Sequence, residues 1–178
     1  MYKRQLHGAQ RSAEKSVEID PQSAEALCIL GTALVAISRP FLPSPEMGPA
    51  ANRGEGTPVA MSPGEAVSEA IPLLRKSITL NPNDPEAHTS LGSAYAVQRS
   101  YQDAEAEFLR ALAISPDDLD AHFNLGSVYL EMGDVGKAAL HLGRIMAIDP
   151  RSDLATRIIA QAFQLRKTYT LIAKNPER

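Results

Sequence analysis

The chain has 178 residues, of which 44% are apolar, and this is enough to form one sizeable core in a globular protein. Its formal net charge is −3 and its lysines and arginines are scattered, so the basic face of a nucleic-acid-binding protein is not predicted. No run of 18 or more apolar residues occurs and the N-terminus lacks the apolar centre of a secretion signal, so we expect a cytoplasmic protein that does not contact membranes.

The first predicted helix covers residues 2–20. Ala9, Ala13 and Val17 recur every four residues there, which places them on one stripe of a helix. Pro21 ends the helix, because the residue before a proline is disfavoured in the helical conformation. The result is an amphipathic helix whose apolar flank consists mainly of alanines.

A second helix is predicted at residues 23–38, and a proline- and glycine-rich segment follows it at residues 39–61. This segment contains five prolines and three glycines, a composition that cannot hold a helix and offers little to pack. We therefore predict a flexible insert between the two helices of one pair. Residues 40–43 have the spacing of a PxxP recognition segment, although a plain disordered insert is the simpler interpretation.

The third helix is predicted to begin at a capping box. Ser62 supplies the cap, Pro63 suits the first helical position, and Glu65 stands three residues after the cap. Pro72 falls inside the apolar stripe that follows and has no N–H, which predicts a kink or a late start of the helix. With the second helix, this segment forms a predicted pair at residues 23–81.

The rest of the chain follows a period of 34 residues, marked by Pro82, Pro116 and Pro150. The same apolar pattern runs twice between these prolines: Leu91-Gly92, Tyr95, Ala104, Phe108, Ala111 and Ile114, then Leu125-Gly126, Tyr129, Ala138, Leu142, Ile145 and Ile148. A fixed period of this length predicts helix pairs that bury their apolar faces on neighbouring copies. The predicted boundaries are helix pairs at residues 84–115 and 117–149 and a terminal helix at residues 152–173.

Three glycines share one position in the predicted first helices, namely Gly31, Gly92 and Gly126. Glycine inside a helix costs about 1 kcal/mol relative to alanine. Its recurrence at one position of the period therefore predicts that a neighbouring helix passes too close for a side chain.

These residues resemble the tetratricopeptide repeat family. The resemblance rests on Leu-Gly and then an aromatic residue in the first helix, Ala and then Phe in the second, and a closing proline, at a period of 34 residues. It implies an all-α fold, a right-handed superhelical solenoid of antiparallel helix pairs. Residues 2–20 would be a lone second-type helix, and Arg99 stands where Gly133 provides a turn glycine.

The resemblance also implies a concave groove, lined by the first helices, that receives an extended peptide or a partner helix. By position after each closing proline, its residues would be Glu25, Cys28, Ile29 and Thr32; Glu86, Thr89, Ser90 and Ser93; Asp120, Phe123, Asn124 and Ser127; and Leu154, Arg157, Ile158 and Gln161. Phe123 would be an aromatic anchor. Glu86 and Asp120 would repel a carboxylate, so a neutral or basic segment is the expected ligand.

We therefore predict a non-catalytic protein–protein interaction module with no catalytic residue, cofactor or metal ion. Two alternatives stay open: a substrate-selecting segment of a larger enzyme, and a self-assembling scaffold in which residues 2–20 dock another copy. His88 and His122 share a position in the period, but structural histidines are a simpler interpretation than metal ligands. Cys28 is the single cysteine, which excludes a disulfide within the chain, and we expect a small buried residue.

Overall fold

The computed structural model describes residues 2–38 and 62–151, and these residues form helices with no strand among them. The seven helices are α1 (Tyr2–Ile19), α2 (Ala24–Ser38), α3 (Pro63–Leu80), α4 (Pro85–Val97), α5 (Tyr101–Ile114), α6 (Leu119–Glu131) and α7 (Val135–Ile148). The predicted all-α class is confirmed. The predicted insert at residues 39–61 and the predicted terminal helix at residues 152–173 lie outside the described residues.

The chain divides into two compact units, one that ends at Ile114 and one that begins at Ser115. Helices α1 to α5 belong to the first unit, and α6 and α7 to the second. Fully buried side chains include Leu74 and Phe108 in the first unit and Leu125 in the second. Within the described ranges, no helix has both the length and the hydropathy that crossing a membrane requires.

The predicted capping box at the start of α3 is confirmed. The Ser62 hydroxyl accepts a hydrogen bond from the Glu65 N–H at 3.3 Å, and the Ser62 N–H donates to the Glu65 carboxylate at 2.8 Å. The bond from the Ser62 N–H to the carboxylate is the main reason that the pKa of Glu65 lies below its ordinary value. Because α3 begins at Pro63 and continues through Pro72, the late start, one of the two predicted outcomes, is excluded, and a kink at the exposed Pro72 stays a prediction.

Two hydrogen bonds tie the end of α3 to the start of α2. The Lys76 ammonium donates to the carbonyl of Pro21 at 2.7 Å, and the Ser77 hydroxyl donates to the carbonyl of Ala24, also at 2.7 Å. Ser77 is completely buried, so its bond satisfies a hydroxyl that water cannot reach. The two helices of this pair are therefore joined directly, although residues 39–61 separate them in the sequence.

The repeated glycines lie where the first helix of each pair meets the second. A Cβ atom on Gly31, Gly92 or Gly126 would lie, respectively, 2.5 Å from Cγ of Leu74, 2.8 Å from Cε1 of Phe108 and 2.6 Å from Cδ2 of Leu142. These separations are too short for carbon atoms in contact. The predicted close approach is confirmed, and in each pair a side chain of the second helix causes it.

The turns within the last two pairs share one backbone geometry. Arg99 has φ of 61° and Gly133 has φ of 80°, so both are left-handed. In each turn the next residue donates its N–H to a tyrosine carbonyl, that of Tyr95 at 2.9 Å or that of Tyr129 at 2.8 Å. This is the Schellman arrangement that ends many helices, and it normally uses glycine. Arg99 therefore adopts the conformation that its position in the period predicts for glycine.

Candidate partner-binding site

The first helices α2 and α4 lie side by side within the first unit. The hydroxyls of Thr32 on α2 and Ser90 on α4 are 2.8 Å apart and share a hydrogen bond. Both residues belong to the predicted groove, so two helices of the predicted lining are adjacent here. We call this surface the α2–α4 wall, and it comprises Glu25, Cys28, Ile29, Thr32, Glu86, Thr89, Ser90 and Ser93.

The residues of the α2–α4 wall differ widely in exposure. Glu25 and Glu86 are exposed, and Ile29 exposes 46% of its surface, as several other large apolar side chains of the described residues do. Ser90 and Ser93 are buried, so they join helices rather than offer surface to a ligand. The exposed residues of the wall are therefore one apolar side chain and two carboxylates.

Cys28 lies beneath this surface with 3% of its area exposed, as predicted for a small buried residue. Burial is the main reason that the pKa of its thiol is raised to about 12, and the carboxylate of Asp84 raises it further. A hydrogen bond with Thr32 acts in the opposite direction, and Glu86 adds a smaller increase. Asp84 and Glu86 therefore place negative charge near Cys28, in addition to the larger effect of burial on its pKa.

Thr89 carries a polar atom without a partner. Its hydroxyl oxygen is buried and makes no hydrogen bond within the part of the chain that the structure describes. Leaving such a group unpaired costs about 1–3 kcal/mol. The unpaired hydroxyl of Thr89 therefore lowers the stability of the first unit, and this residue belongs to the α2–α4 wall.

In the second unit, α6 carries the other described residues of the predicted groove. Asp120 is exposed, while Phe123, Asn124 and Ser127 are half-buried. Phe123 packs against the core residues Leu142 and Ile145, and its carbonyl accepts a hydrogen bond from the Ser127 hydroxyl at 2.9 Å. Phe123 thus supports the α6–α7 pair in addition to its predicted role as an anchor.

Some predicted site residues are not placed by the structure. Arg157 and Gln161, with Leu154 and Ile158, lie outside the described residues. A groove that combines α4 with α6 stays a prediction. Sequence reasoning chose Phe123 as the anchor because it is aromatic, and it did not single out Ile29, whose exposure depends on how α2 packs.

His88 and His122 occupy equivalent positions and make the same contact. The Nε2 atom of His88 lies 3.2 Å from the carbonyl oxygen of Pro82, and that of His122 lies 3.0 Å from the carbonyl oxygen of Pro116. His88 also contacts the buried carboxylate of Glu107 through Nδ1 at 2.7 Å. Each histidine therefore links a first helix to the proline that precedes it, which is a structural role. Within the described ranges, no group of three or more His, Cys, Asp or Glu residues is arranged to hold a metal ion.

Comparison with known proteins identifies the repeats. Residues 65–118 and residues 98–162 each match a family model described as a tetratricopeptide repeat. Together the two matches cover residues 65–162, which is more than half of the chain. A search of curated proteins gave no significant match.

Several solved structures resemble most of the chain. The crystal structure of MamA is 27% identical, with 84% of this chain and 71% of that chain covered and a TM-score of 0.60. TTC0263, a thermophilic TPR protein of Thermus thermophilus, is 22% identical over 91% of this chain and 75% of that chain, with a TM-score of 0.69. YrrB, a TPR protein with an unusual peptide-binding site, is 23% identical over 89% of this chain and 68% of that chain, with a TM-score of 0.62. At these identities, TTC0263 and YrrB indicate the fold alone.

Proposed function

Because the chain belongs to the tetratricopeptide repeat family, whose members are typically non-catalytic protein-interaction modules, we propose that it binds a protein segment along the α2–α4 wall. The observation that carries this proposal is the hydrogen bond between Thr32 and Ser90, because it makes α2 and α4 one continuous surface. A peptide or a partner helix would lie across both helices.

The chemistry of the wall favours a particular kind of segment. Ile29 offers an apolar contact of the size that one aliphatic or aromatic side chain can cover. Glu25 and Glu86 belong to the same wall and are exposed, and Asp84 adds negative charge near Cys28. A ligand with an apolar residue next to lysine or arginine would complement both features.

The same carboxylates also have a purely structural explanation. Glu25 and Glu86 each lie in the first turn of a helix, where a negative charge stabilises the helix dipole by about 0.3–1 kcal/mol. A test must therefore separate ligand binding from helix stability.

The neighbouring structures give coarse support only. YrrB is described as having a peptide-binding site, and that statement concerns YrrB. For this chain, peptide binding rests on the residues of the α2–α4 wall. The proposed ligand is a neutral or basic segment, in agreement with the expectation from Glu86 and Asp120.

The proposal can be tested by selecting peptides from a random library on the immobilised full chain. We expect enrichment of sequences that place an apolar residue beside lysine or arginine. Affinities of selected peptides would then be measured by fluorescence anisotropy for the wild type, for Ile29→Ala, and for the double variant Glu25→Lys/Glu86→Lys. We expect both variants to bind at least about tenfold more weakly. Ile29→Ala removes the apolar contact, and Glu25→Lys/Glu86→Lys reverses the charge that complements the ligand.

A matched control is available in Glu14→Lys/Glu69→Lys. Both residues are exposed, lie on α1 and α3 outside the wall, and give the same change in net charge. The control should bind like the wild type apart from a small long-range effect that salt screens. Peptides of acidic composition, or equal weakening by the wall variant and the control variant, would contradict the proposal.

A further inference from the structure

The second unit contains a pair of histidines in direct contact. The Nδ1 atoms of His122 on α6 and His141 on α7 lie 3.0 Å apart, and the two ring centroids are 5.3 Å apart. The Nε2 atom of His122 lies 3.0 Å from the carbonyl oxygen of Pro116. Both ring nitrogens of His122 are therefore engaged, one with an oxygen and one with a second imidazole.

These contacts determine where the protons lie when both rings are neutral. A carbonyl oxygen only accepts, so Nε2 of His122 carries a proton and donates it to Pro116. The Nδ1 atom of His122 then holds a lone pair, and Nδ1 of His141 supplies the proton between the two rings. One proton is shared where two nitrogen lone pairs would otherwise meet.

We propose that His122 and His141 form a two-histidine binding site for Cu²⁺ or Ni²⁺, in which the metal ion replaces the shared proton. A metal-binding histidine typically donates its other N–H to a carbonyl or carboxylate, which fixes the orientation of the ring. His122 already has this arrangement with Pro116. On binding, the proton of His141 Nδ1 leaves to solvent, and both rings reorient so that their Nδ1 lone pairs converge on an ion beside the line that joins the two nitrogens.

The separation of the two nitrogens discriminates between metals. Imidazole nitrogens bind transition metals at about 2.0–2.1 Å, so two nitrogens 3.0 Å apart subtend an angle of roughly 90–97° at the ion. This angle suits the square-planar and octahedral geometries of Cu²⁺ and Ni²⁺. Tetrahedral Zn²⁺ would require the nitrogens to move apart by about 0.3–0.4 Å, and we expect weaker binding of Zn²⁺.

The two histidines differ in their exposure to solvent. His122 is buried, but His141 is only half-buried, so solvent reaches one side of the pair. Tyr129 stacks on His141 with ring centroids 5.6 Å apart and holds its plane. On the Tyr129 side lies Lys137, whose ammonium is 4.9 Å from the Tyr129 ring centroid and 3.7 Å from the Asp134 carboxylate, which offsets its charge. With no third His, Cys, Asp or Glu in position among the described residues, water would fill the remaining coordination sites.

The experiment is a titration of the full chain with NiCl₂ and CuCl₂ at neutral pH, followed by isothermal calorimetry, with MgCl₂ as the negative control. His141→Gln should bind at least about tenfold more weakly, because it removes one of two ligands. His7→Gln also removes one imidazole, outside the pair, and should bind like the wild type. An absence of saturable binding by the wild type, or equal affinity of His141→Gln and the wild type, would overturn the proposal.

A spectroscopic measurement on the wild type keeps the test independent of the folding of any variant. Electron paramagnetic resonance of the Cu²⁺-loaded chain should show hyperfine coupling to two imidazole nitrogens. One coupled nitrogen, or none, would exclude the pair as the site. Competition with protons gives a further check: lowering the pH should weaken Ni²⁺ binding, and binding unaffected by acid would also contradict the proposal.

Discussion

Gly126 on α6 and the side chain of Leu142 on α7 lie too close together for a Cβ atom to fit at position 126. A Cβ atom on Gly126 would lie 2.6 Å from Cδ2 and 2.8 Å from Cγ of Leu142, which is itself buried. The same relationship joins Gly31 to Leu74 and Gly92 to Phe108. A contact that recurs in all three described pairs sets the distance between the two helices of a pair.

Gly126→Ala should therefore destabilise the protein by about 1–3 kcal/mol, although alanine is the better helix former. The matched control is Gly143→Ala on α7, where a Cβ atom would meet nothing within 4 Å. That substitution should stabilise by about 0.5–1 kcal/mol through helix propensity alone. Urea denaturation followed by far-UV circular dichroism would measure both, and stabilisation by Gly126→Ala would show that the α6–α7 contact can relax.

The left-handed turn at Arg99 offers a stabilising substitution. The left-handed conformation costs a residue with a Cβ atom about 1–2 kcal/mol, part of which glycine would lose again through its larger backbone entropy. Arg99→Gly should stabilise by about 0.5–1 kcal/mol in thermal or urea denaturation. The reciprocal change, Gly133→Arg, should destabilise by a similar amount, because Gly133 has φ of 80°. A loss of stability in Arg99→Gly would mean that the arginine side chain contributes more than its backbone strain costs.

The thiol of Cys28 should be unreactive while the protein is folded. Folding raises its pKa from the ordinary 9.0 to about 12, so near pH 8 the thiolate fraction, and with it the rate of alkylation by iodoacetamide, falls by roughly a thousandfold. Since Cys28 is the single cysteine, mass spectrometry of the folded and the urea-unfolded chain gives a direct comparison. Equal rates in the two states would mean that the helices around Cys28 open readily.

The same pKa shift predicts a dependence of stability on pH. Below about pH 9 the thiol is protonated in the folded and the unfolded chain and contributes no pH dependence. Between about pH 9 and 12 the unfolded chain loses the proton first, so stability falls as the pH rises. Cys28→Ala removes this contribution, and its stability, measured by urea denaturation at each pH, should decline less than that of the wild type. Parallel declines would contradict the assignment to Cys28.

The unpaired hydroxyl of Thr89 predicts a gain in stability on its removal. Thr89→Val keeps the shape and removes a buried polar atom without a partner among the described residues, so it should stabilise by about 1–2 kcal/mol. The control Thr79→Val removes a hydroxyl that is exposed and donates to the carbonyl of Arg75 at 2.9 Å, so it should not stabilise the protein. The midpoints of urea denaturation would compare both variants with the wild type. Destabilisation by Thr89→Val would indicate that the hydroxyl has a partner beyond the described residues.

Features fixed by spacing could be predicted from the sequence, and features set by packing could not. The 34-residue period located the helix pairs and the close approach at Gly92, because a steric requirement leaves the same residue type at each repeat. The exposure of Ile29 depends on the orientation of a helix that is apolar on most sides, so no pattern revealed it.

The histidine pair was missed for a different reason. His122 was compared with His88, its equivalent in the preceding repeat, whereas its contact is with His141 in the same pair. A signal did exist, since Glu107 and His141 occupy equivalent positions, each nine residues before a closing proline. Glu107 contacts His88 as His141 contacts His122. The contact between His122 and His141 is therefore predictable from pairs of equivalent positions in successive repeats, and not from single residues.

The two hydrogen bonds between α3 and α2 have a consequence for how this chain can change in evolution and in engineering. Lys76 and Ser77 hold the carbonyls of Pro21 and Ala24, so the two helices that flank residues 39–61 are fastened to each other directly. Closing a longer connection costs little more entropy than closing a shorter one. This position is therefore a natural place to graft a foreign loop, such as an epitope or a protease site, without redesigning the repeat.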